Sequence, residues 1–522
     1  MSDMPNIDIR PDHWEIVRDI LHRHVPHYAV WAFGSRAKWQ AKQYSDLDLV
    51  VITDQPLSLA VSAALADDFS ESDLPWKVDV VDWAATGESF RKIIERNRVV
   101  VQLPRCELVV TSQWRDTTIG EAFEVNPIRR VERGKVTPFL PMDLLPVNGR
   151  SPEGIEQREF TGSGIKFKNG DTLIARITPC LENGKTAFIS GLQGGEIAHG
   201  STEYIVLGGK PDQSDGLFAY YMARSPDFRR YAIGLMEGTS GRQRVPSAAV
   251  KKYPLALPPV SEQQVIARIL GALDDKIELN RRMNQTLEAM ARALFKSWFV
   301  DFDGVSPEDM QESELGLIPK GWNWVPASAL IEFNPTEPLR KGTLAPYLDM
   351  AALPTVGSWP EQPVLREFAS GMRFRNRDSL LARITPCLEN GKTAFVQCLP
   401  ENTCAWGSTE FIVMRPKAPF SAEYVYLLAR DDAFRAHAIQ SMTGTSGRQR
   451  VQADSVAAFK VAAPSDKNIW KNFSDFVAPI FTSIKSNSEA SETLAHLRDT
   501  LLPKLISGEL RVRDAEKITE TA

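Results

Sequence analysis

Residues 175–188 read Ala-Arg-Ile-Thr-Pro-Cys-Leu-Glu-Asn-Gly-Lys-Thr-Ala-Phe, and the same fourteen residues return letter for letter at 382–395. The likeness extends outward. Gly-Ser-Thr-Glu at 200–203 recurs at 407–410, and Gly-Thr-Ser-Gly-Arg-Gln-Arg-Val at 238–245 recurs at 444–451. Asn126-Pro127 recurs as Asn334-Pro335. The offset stays between 206 and 208 residues, so a module of about two hundred residues occurs twice. Short periods build solenoids. A period this long is a duplicated domain, suited to a target with two similar halves.

A chain of 522 residues predicts two to four domains. Its 43% hydrophobic and 24% charged content is that of a soluble globular protein. Five cysteines without CxxC spacing argue for a reducing compartment and against a disulfide framework or structural zinc. No apolar run approaches membrane-spanning length and no signal peptide opens the chain, which predicts a cytoplasmic protein without membrane contact. Net charge is −5, and the acidity sits in residues 1–105, with 12 Lys+Arg against 16 Asp+Glu. The duplicated part is near neutral, so any nucleic-acid surface there must be a local basic patch.

The first hundred residues follow an α/β pattern. A helical spacing of apolar residues runs through 14–22, then Tyr-Ala-Val-Trp-Ala-Phe at 28–33 reads as a buried strand ending at Gly34-Ser35. Residues 36–42 favour a short helix. Ser-Asp-Leu-Asp-Leu-Val-Val-Ile at 45–52 reads as a second strand, with Asp46 and Asp48 on one face and Leu47 and Leu49 on the other. A third strand, 77–81, brings Asp79. Like charges side by side repel, and they are tolerated when a divalent cation lies between them. Three carboxylates and a Gly-Ser turn that can approach a phosphate therefore point to metal-assisted phosphoryl or nucleotidyl transfer. The bland reading leaves Asp46 and Asp48 on a solvated strand face. His22, His24 and His27 lack a carboxylate at ligand spacing, so a surface or core role is expected for them.

Phe33-Gly34-Ser35-Arg36-Ala37, then Ser45-Asp46-Leu47-Asp48-Leu49, then Val78-Asp79 resembles the minimal nucleotidyltransferases of the polymerase-beta-like superfamily. The resemblance covers about residues 10–100. It implies a mixed sheet with helices on one side. It also implies Mg²⁺ held by Asp46, Asp48 and Asp79 as metal-binding and catalytic residues, with Gly34, Ser35 and Arg36 at the NTP. Trp39 stands where that family commonly has a second glycine, and Asp82 is a weaker candidate for the third carboxylate.

Each repeated module opens with Pro-punctuated text and continues as short β-type runs separated by Gly and Asn turns, then a helix-like stretch. This predicts a small α+β domain with a curved sheet. In the repeated loop, glycines let the backbone approach a phosphate, while Arg and Gln can contact bases. If the two copies read different sequences, identical residues should hold the scaffold or phosphates and variable residues should read bases. On that division Arg242, Gln243, Arg244, Arg448, Gln449 and Arg450 are candidate DNA-binding residues, with Lys185 and Lys392 behind them. Arg176 and Arg383 read as structural. The Arg430…His437 spacing fits a loose ribonuclease pattern, but the first copy has Tyr231 in place of the histidine, so chance explains it.

Leu-Pro-Pro-Val-Ser-Glu at 257–262 reads as a stop, a bend and a helix cap. A long helix to about residue 299 follows. Ile266, Leu273, Asn280, Leu287 and Leu294 alternate with Leu270, Ile277, Asn284, Ala291 and Trp298 in a coiled-coil seam whose asparagines fix register. After the second module, Ile469, Phe476, Ala490 and Leu497 alternate with Phe473, Ile480, Leu494 and Leu501, with Asn487 in the seam and Pro479 placed to kink it. Antiparallel pairing of the two helices is expected.

Module, long helix, module, long helix resembles the specificity subunit of type I restriction–modification systems. The motifs are Ile-Thr-Pro-Cys-Leu-Glu-Asn-Gly at 177–184, Pro258-Pro259-x-Ser261-Glu262-Gln263, Ser-Trp-Phe-Val-Asp-Phe at 297–302, Gly321-Trp-x-Trp324 and Leu-Leu-Pro-Lys-Leu-Ile-Ser-Gly at 501–508. The resemblance implies two target recognition domains, inverted about a pseudo-twofold axis and reading a bipartite double-stranded DNA site. It also implies docking of methyltransferase subunits and a restriction (ATPase–nuclease) subunit, which would carry methylation and cleavage. The expected fold is α+β multidomain: a nucleotidyltransferase domain at 1–105, recognition domains at 108–258 and 318–463, coiled-coil helices at 259–303 and 465–511, and a polar tail at 512–522. The alternative function is a nucleotidyltransferase modifying a protein or RNA, with the repeats as its targeting device. A third reading leaves the N-terminal domain catalytically idle.

Overall fold

The computed structural model describes residues 4–26, 28–42, 44–53, 56–96, 98–102, 114–239, 241–445 and 447–512. The chain divides into two compact units, 1–113 and 114–522. Among the described residues no helix is long and apolar enough to cross a membrane.

The first unit runs α1 (Pro11–His24), β1 (Ala29–Phe33), α2 (Gly34–Ala37), β2 (Leu47–Ile52), α3 (Leu59–Ser70), β3 (Val78–Asp82), α4 (Glu88–Arg96) and β4 (Val99–Gln102). The four strands form one mixed sheet, order β3-β2-β1-β4, with only β2 and β3 parallel. Strand alternation decides what faces what. Val30, Ala32, Leu47, Leu49 and Val51 point to the core shared with Trp14, Val17 and Leu21 of α1 and Leu65 and Phe69 of α3. Phe33 and Val50 point the other way and meet Ile94 of α4. Helices therefore lie on both faces, not on one side as the resemblance implied. The reason is in the sequence of the strands: β1 and β2 are apolar on both faces, and α4 covers what would otherwise be exposed.

In the second unit each module holds two four-stranded sheets and a two-stranded ribbon. In the first copy, Thr172–Ala175 and Tyr204–Gly209 lie at the centre of one sheet and are fully or almost fully buried. Ser379–Ala382 and Phe411–Pro416 repeat this in the second. The ribbons tie the first strand of each module to its last: Arg115–Thr118 with Pro254–Leu257, and Trp322–Pro326 with Lys460–Pro464.

Two helices, Val260–Phe299 and Lys467–Ser507, carry the modules. They pair antiparallel. Asn280 Nδ2 donates to the Asn487 carbonyl and Ser491 Oγ (3.3 and 3.2 Å), and Asn284 Nδ2 donates to Ser488 Oγ (3.0 Å). Asn487 Nδ2 returns a bond to Asn284 Oδ1 (2.9 Å). Expected seam positions of the first helix hold, with Ile266, Leu270, Leu273, Asn280 and Ala291 buried and Ile277, Asn284, Leu287, Leu294 and Trp298 half-buried. Those of the second do not. The buried stripe is Trp470, Phe473, Val477, Phe481, Ile484, Ser488, Arg498, Leu501, Leu502 and Leu505, while Phe476 is 60% exposed. The apolar residues at 469 and 476 suggested a phase displaced by one position, because a short apolar-rich stretch supports two neighbouring phases equally. The helix runs as one element through Pro479.

Helix starts also differ from expectation. The first helix begins at Val260 with no side-chain cap, so Ser261 lies inside it. Gln263, fully buried, does the joining: its Oε1 accepts from Asp215 N (2.9 Å) and its Nε2 donates to the carbonyls of Pro258 and Gln213. The second helix is capped by Asp466. The first module packs on the start of the first helix and the end of the second: Tyr221 Oη donates to Asp274 (2.7 Å), Trp114 lies against Gly508, and Arg498 Nη1 donates to Asp274 (2.6 Å). The second module uses the opposite ends, through Phe295, Phe299, Trp470 and Phe473 around Tyr424. One module thus sits at each end of a helix pair about 60 Å long.

Candidate functional site

In the first unit the chain leaves β1 at Phe33 and turns sharply at Gly34. A positive φ of +75° is costly for residues with a Cβ. A Cβ there would also overlap the Asp48 carboxylate, which lies beneath the turn. Register explains why: Phe33 pairs with Asp48, and Asp48 pairs with Asp79. Asp48 and Asp79 therefore stand side by side on one sheet face, with Asp46 two residues before Asp48. Burial first, then the charges of Asp79 and Asp46, push the Asp48 carboxyl above the usual carboxylate range. Three oxygen-donor acids with mutual repulsion have the chemistry of a hard divalent cation's site. Asp79 is paired with Lys77, and among the described residues no group of three or more acids, histidines or cysteines stands in metal-holding geometry.

The other first-unit candidates separate. Ser35 is on the first turn of α2, beside Gly34. Arg36 is 5% exposed; its Nε donates to the Ser45 carbonyl (2.9 Å), its Nη1 to that of Asp8 (2.8 Å), and its guanidinium lies 4.3 Å from the Trp76 ring. That side chain clamps the turn to the loop carrying Asp46. Asp82 accepts from Thr53 Oγ1 and from the backbone N–H groups of Leu57 and Ala84, so its oxygens brace the loop after β2. Burial raises its pKa, but these bonds outweigh it and the net direction is down. His24 lies 2.7 Å from Asp68, and His27 lies outside the described residues.

In the second unit the repeated loops are built alike. Arg244 bridges backbone to both Ile177 and Glu237, and Arg450 to Ile384 and Thr443. Their side chains pair with Glu203 and Glu410 at 2.8 Å. The Arg450 bond holds the Glu410 carboxyl below its usual range. The Gln243 and Gln449 carbonyls accept from Thr178 and Thr385 N–H. Lys185 Nζ donates to the Met142 and Asp143 carbonyls, and Lys392 to those of Met350 and Ala351. Arg242 and Arg448 are exposed, and their side chains make no hydrogen bond or ion pair with the described residues. Of the eight candidates, these two are the cations left for an outside partner. Arg430 is committed to Tyr426, Glu288 and four carbonyls, and His437 to the Ser455 carbonyl, so the ribonuclease-like pattern has no shared site.

Sequence reasoning missed the buried acids Asp171 and Asp378. Arg129 neutralises the first and Arg415 the second. The acid recurs at the module offset, but the arginine comes from a loop in the first copy and from a strand in the second, with Glu337 where the first copy has Arg129. An identical Asp after an Asn turn in both copies was the available signal.

The first unit, then, is a mixed sheet presenting clustered acids beside a glycine turn, and the second is a duplicated module on paired helices. Known proteins divide the same way. Residues 15–103 match the family described as polymerase beta, nucleotidyltransferase, and residues 147–289 match type I restriction modification DNA specificity domain. The probable protein adenylyltransferase MntA of Haemophilus influenzae is 51% identical over 102 residues, 20% of this chain and 90% of that protein. The type I restriction enzyme HindI specificity subunit of the same organism is 24% identical over 421 residues, 68% of this chain and 89% of that protein. A crystal structure of a type I system S subunit from M. genitalium covers 77% of this chain and 98% of its own at 16% identity and a TM-score of 0.42. The chain belongs to the polymerase-beta nucleotidyltransferases through its first unit and is joined there to a type I specificity region. Such a first unit calls for a nucleoside triphosphate and a divalent metal.

Proposed function

We propose that residues 114–512 select double-stranded DNA at a two-part site and dock methyltransferase and restriction subunits. Residues 1–105 carry a Mg²⁺-dependent nucleotidyl transfer. The observation that carries the first half is the antiparallel helix pair, locked by Asn280, Asn284 and Asn487, with one copy of the module at each end. Two like modules related by that reversal meet DNA in opposite senses, which suits a bipartite site. The recognition domains are taken as 108–258 and 318–463, the helical spacers as 259–303 and 465–511.

Arg242 and Arg448 are proposed to meet DNA phosphates, with Gln243 and Gln449 behind them. Of the other candidates for the same role, Arg244 and Arg450 are assigned to shaping those loops, and Lys185 and Lys392 to holding the segments at 142–143 and 350–351. Replacing Arg242 and Arg448 together by Ala should weaken DNA binding and reduce the salt slope by roughly one unit for each phosphate no longer neutralised, leaving the recognised sequence unchanged.

In the first unit Asp46, Asp48 and Asp79 would hold Mg²⁺, which would neutralise triphosphate charge as the leaving pyrophosphate develops. Gly34 keeps the turn clear of the Asp48 carboxylate, Ser35 sits at its edge, and Arg36 holds the turn in place. Likeness to a probable protein adenylyltransferase favours a protein hydroxyl as acceptor. The hydroxyl oxygen gives its proton to solvent and forms the bond to the α-phosphorus, the bond from that phosphorus to the β-phosphate oxygen breaks, and pyrophosphate leaves. The test has two arms. Methylome sequencing of cells carrying the chain and the methyltransferase subunit that purifies with it should show a bipartite motif that disappears when the chain is deleted. Labelled ATP with purified chain should label protein in a Mg²⁺-dependent, Asp48-dependent way. Labelling without any chain-dependent motif would make nucleotide transfer the main activity, with the repeats as its targeting device.

A further inference from the structure

In each module the second sheet ends on a two-stranded edge whose outer strand is exposed, while the inner strand is partly buried and only its last two residues pair with a third strand. Val136–Leu140 pairs antiparallel with Glu156–Glu159, and Leu344–Leu348 pairs with Val364–Glu367. All four residues of the outer strand are exposed in both copies. An ordinary edge strand covers one face. Exposed aliphatic side chains mark these edges, Val136 on the first and Leu344, Val364 and Leu365 on the second, each at least half exposed.

One arginine occupies the same place in both. Arg158 lies opposite Thr137 with its guanidinium 3.8 Å from the Phe139 ring, and Arg366 lies opposite Ala345, 4.5 Å from the Tyr347 ring. Stacking fixes a guanidinium's plane and leaves N–H groups for other partners. Around this shared arginine the copies diverge. Glu156 and Gln157 in the first stand where Val364 and Leu365 stand in the second. Arg158 Nη2 donates to Glu156 (2.8 Å), whereas Arg366 has no ion pair among the described residues.

We infer that these two ribbons are the base-reading elements of the modules, each entering the major groove of one DNA half-site with Arg158 or Arg366 at its centre. This rests on the specificity reading above. A two-stranded ribbon fits the major groove, arginine reads guanine, a carboxylate accepts from the cytosine amino group, and apolar side chains meet the thymine methyl. Beside the ribbons, Lys166 and Arg373 stand at corresponding positions over Phe160 and Phe368. Variable side chains on a fixed arginine give different half-sites from one fold.

The test changes Glu156→Val and Gln157→Leu together, giving the first ribbon the second's chemistry. It reads the methylome of cells carrying the full chain and its copurifying methyltransferase subunit. The first half-site is expected to change at one or two positions, by roughly 10- to 100-fold in discrimination at each. The second half-site should stay as it was, which also reports that the variant folds. Arg366→Gln should relax one position of the second half only. Two unchanged half-sites under full methylation would overturn the inference, as would an Arg366→Gln chain that methylates fully with no position of the second half relaxed. Absence of any chain-dependent motif with the unaltered protein would instead remove the specificity reading itself.

Discussion

Asp48 carries a conflict that the sequence already hinted at. Its carboxyl is raised by burial, Asp79 and Asp46. A raised folded-state pKa means that the ionised form costs stability at neutral pH, and the cost is relieved as pH falls through the folded value. Asp48→Asn should therefore raise the melting temperature of the first unit at pH 7 and remove its gain on mild acidification, read by calorimetry at several pH values. Mg²⁺ should raise the melting temperature of the unaltered protein and leave the variant unmoved. Gly34→Ala should do the reverse at pH 7: the left-handed turn costs about 1–2 kcal/mol for a residue with a Cβ, before the overlap with Asp48 is added. Denaturant unfolding checks this. At this scale the sequence was partly legible. Strand alternation placed Asp46 and Asp48 together, and register brought Asp79 beside them. What a sequence cannot display is where a long side chain goes. Arg36, Lys185 and Lys392 carry the charges expected at a ligand, yet all three donate to carbonyls of their own chain.

Helices show the same limit at the level of elements. The asparagines of the first seam were readable because polar residues interrupt an apolar stripe, and they do bridge the pair. The second stripe was read one position out of phase, since Phe473 and Leu501 belong to either frame and only tertiary packing exposes Phe476. Asp274 and Arg498 were invisible as a pair because they lie 224 residues apart. Both are buried, and Tyr221 completes the cluster. Breaking a buried pair leaves an uncompensated charge, at a typical cost of about 3–5 kcal/mol. Asp274→Ala should cost about 3 kcal/mol, toward the low end because Asp499 still meets Arg498. Equilibrium unfolding followed by tryptophan fluorescence measures it. Replacing the pair with Leu at both positions should recover most of the loss.

For the molecule as a whole, the helix pair is the claim on which the rest depends. Residue pairs across it run in opposite order: Asp274 with Arg498, Asn280 with Ser491, Asn284 with Ser488. Insertions after Asn284 and after Asn487 therefore face each other, and whole heptads preserve the seam. Three heptads add about 32 Å, close to one turn of DNA at about 34–36 Å, so both modules keep their groove-facing side. The most direct measurement is the methylome of cells carrying this lengthened chain with its copurifying methyltransferase subunit. The account predicts that both half-sites are kept and the unread spacer between them grows by about nine or ten base pairs. A folded, active variant with an unchanged spacer would contradict it.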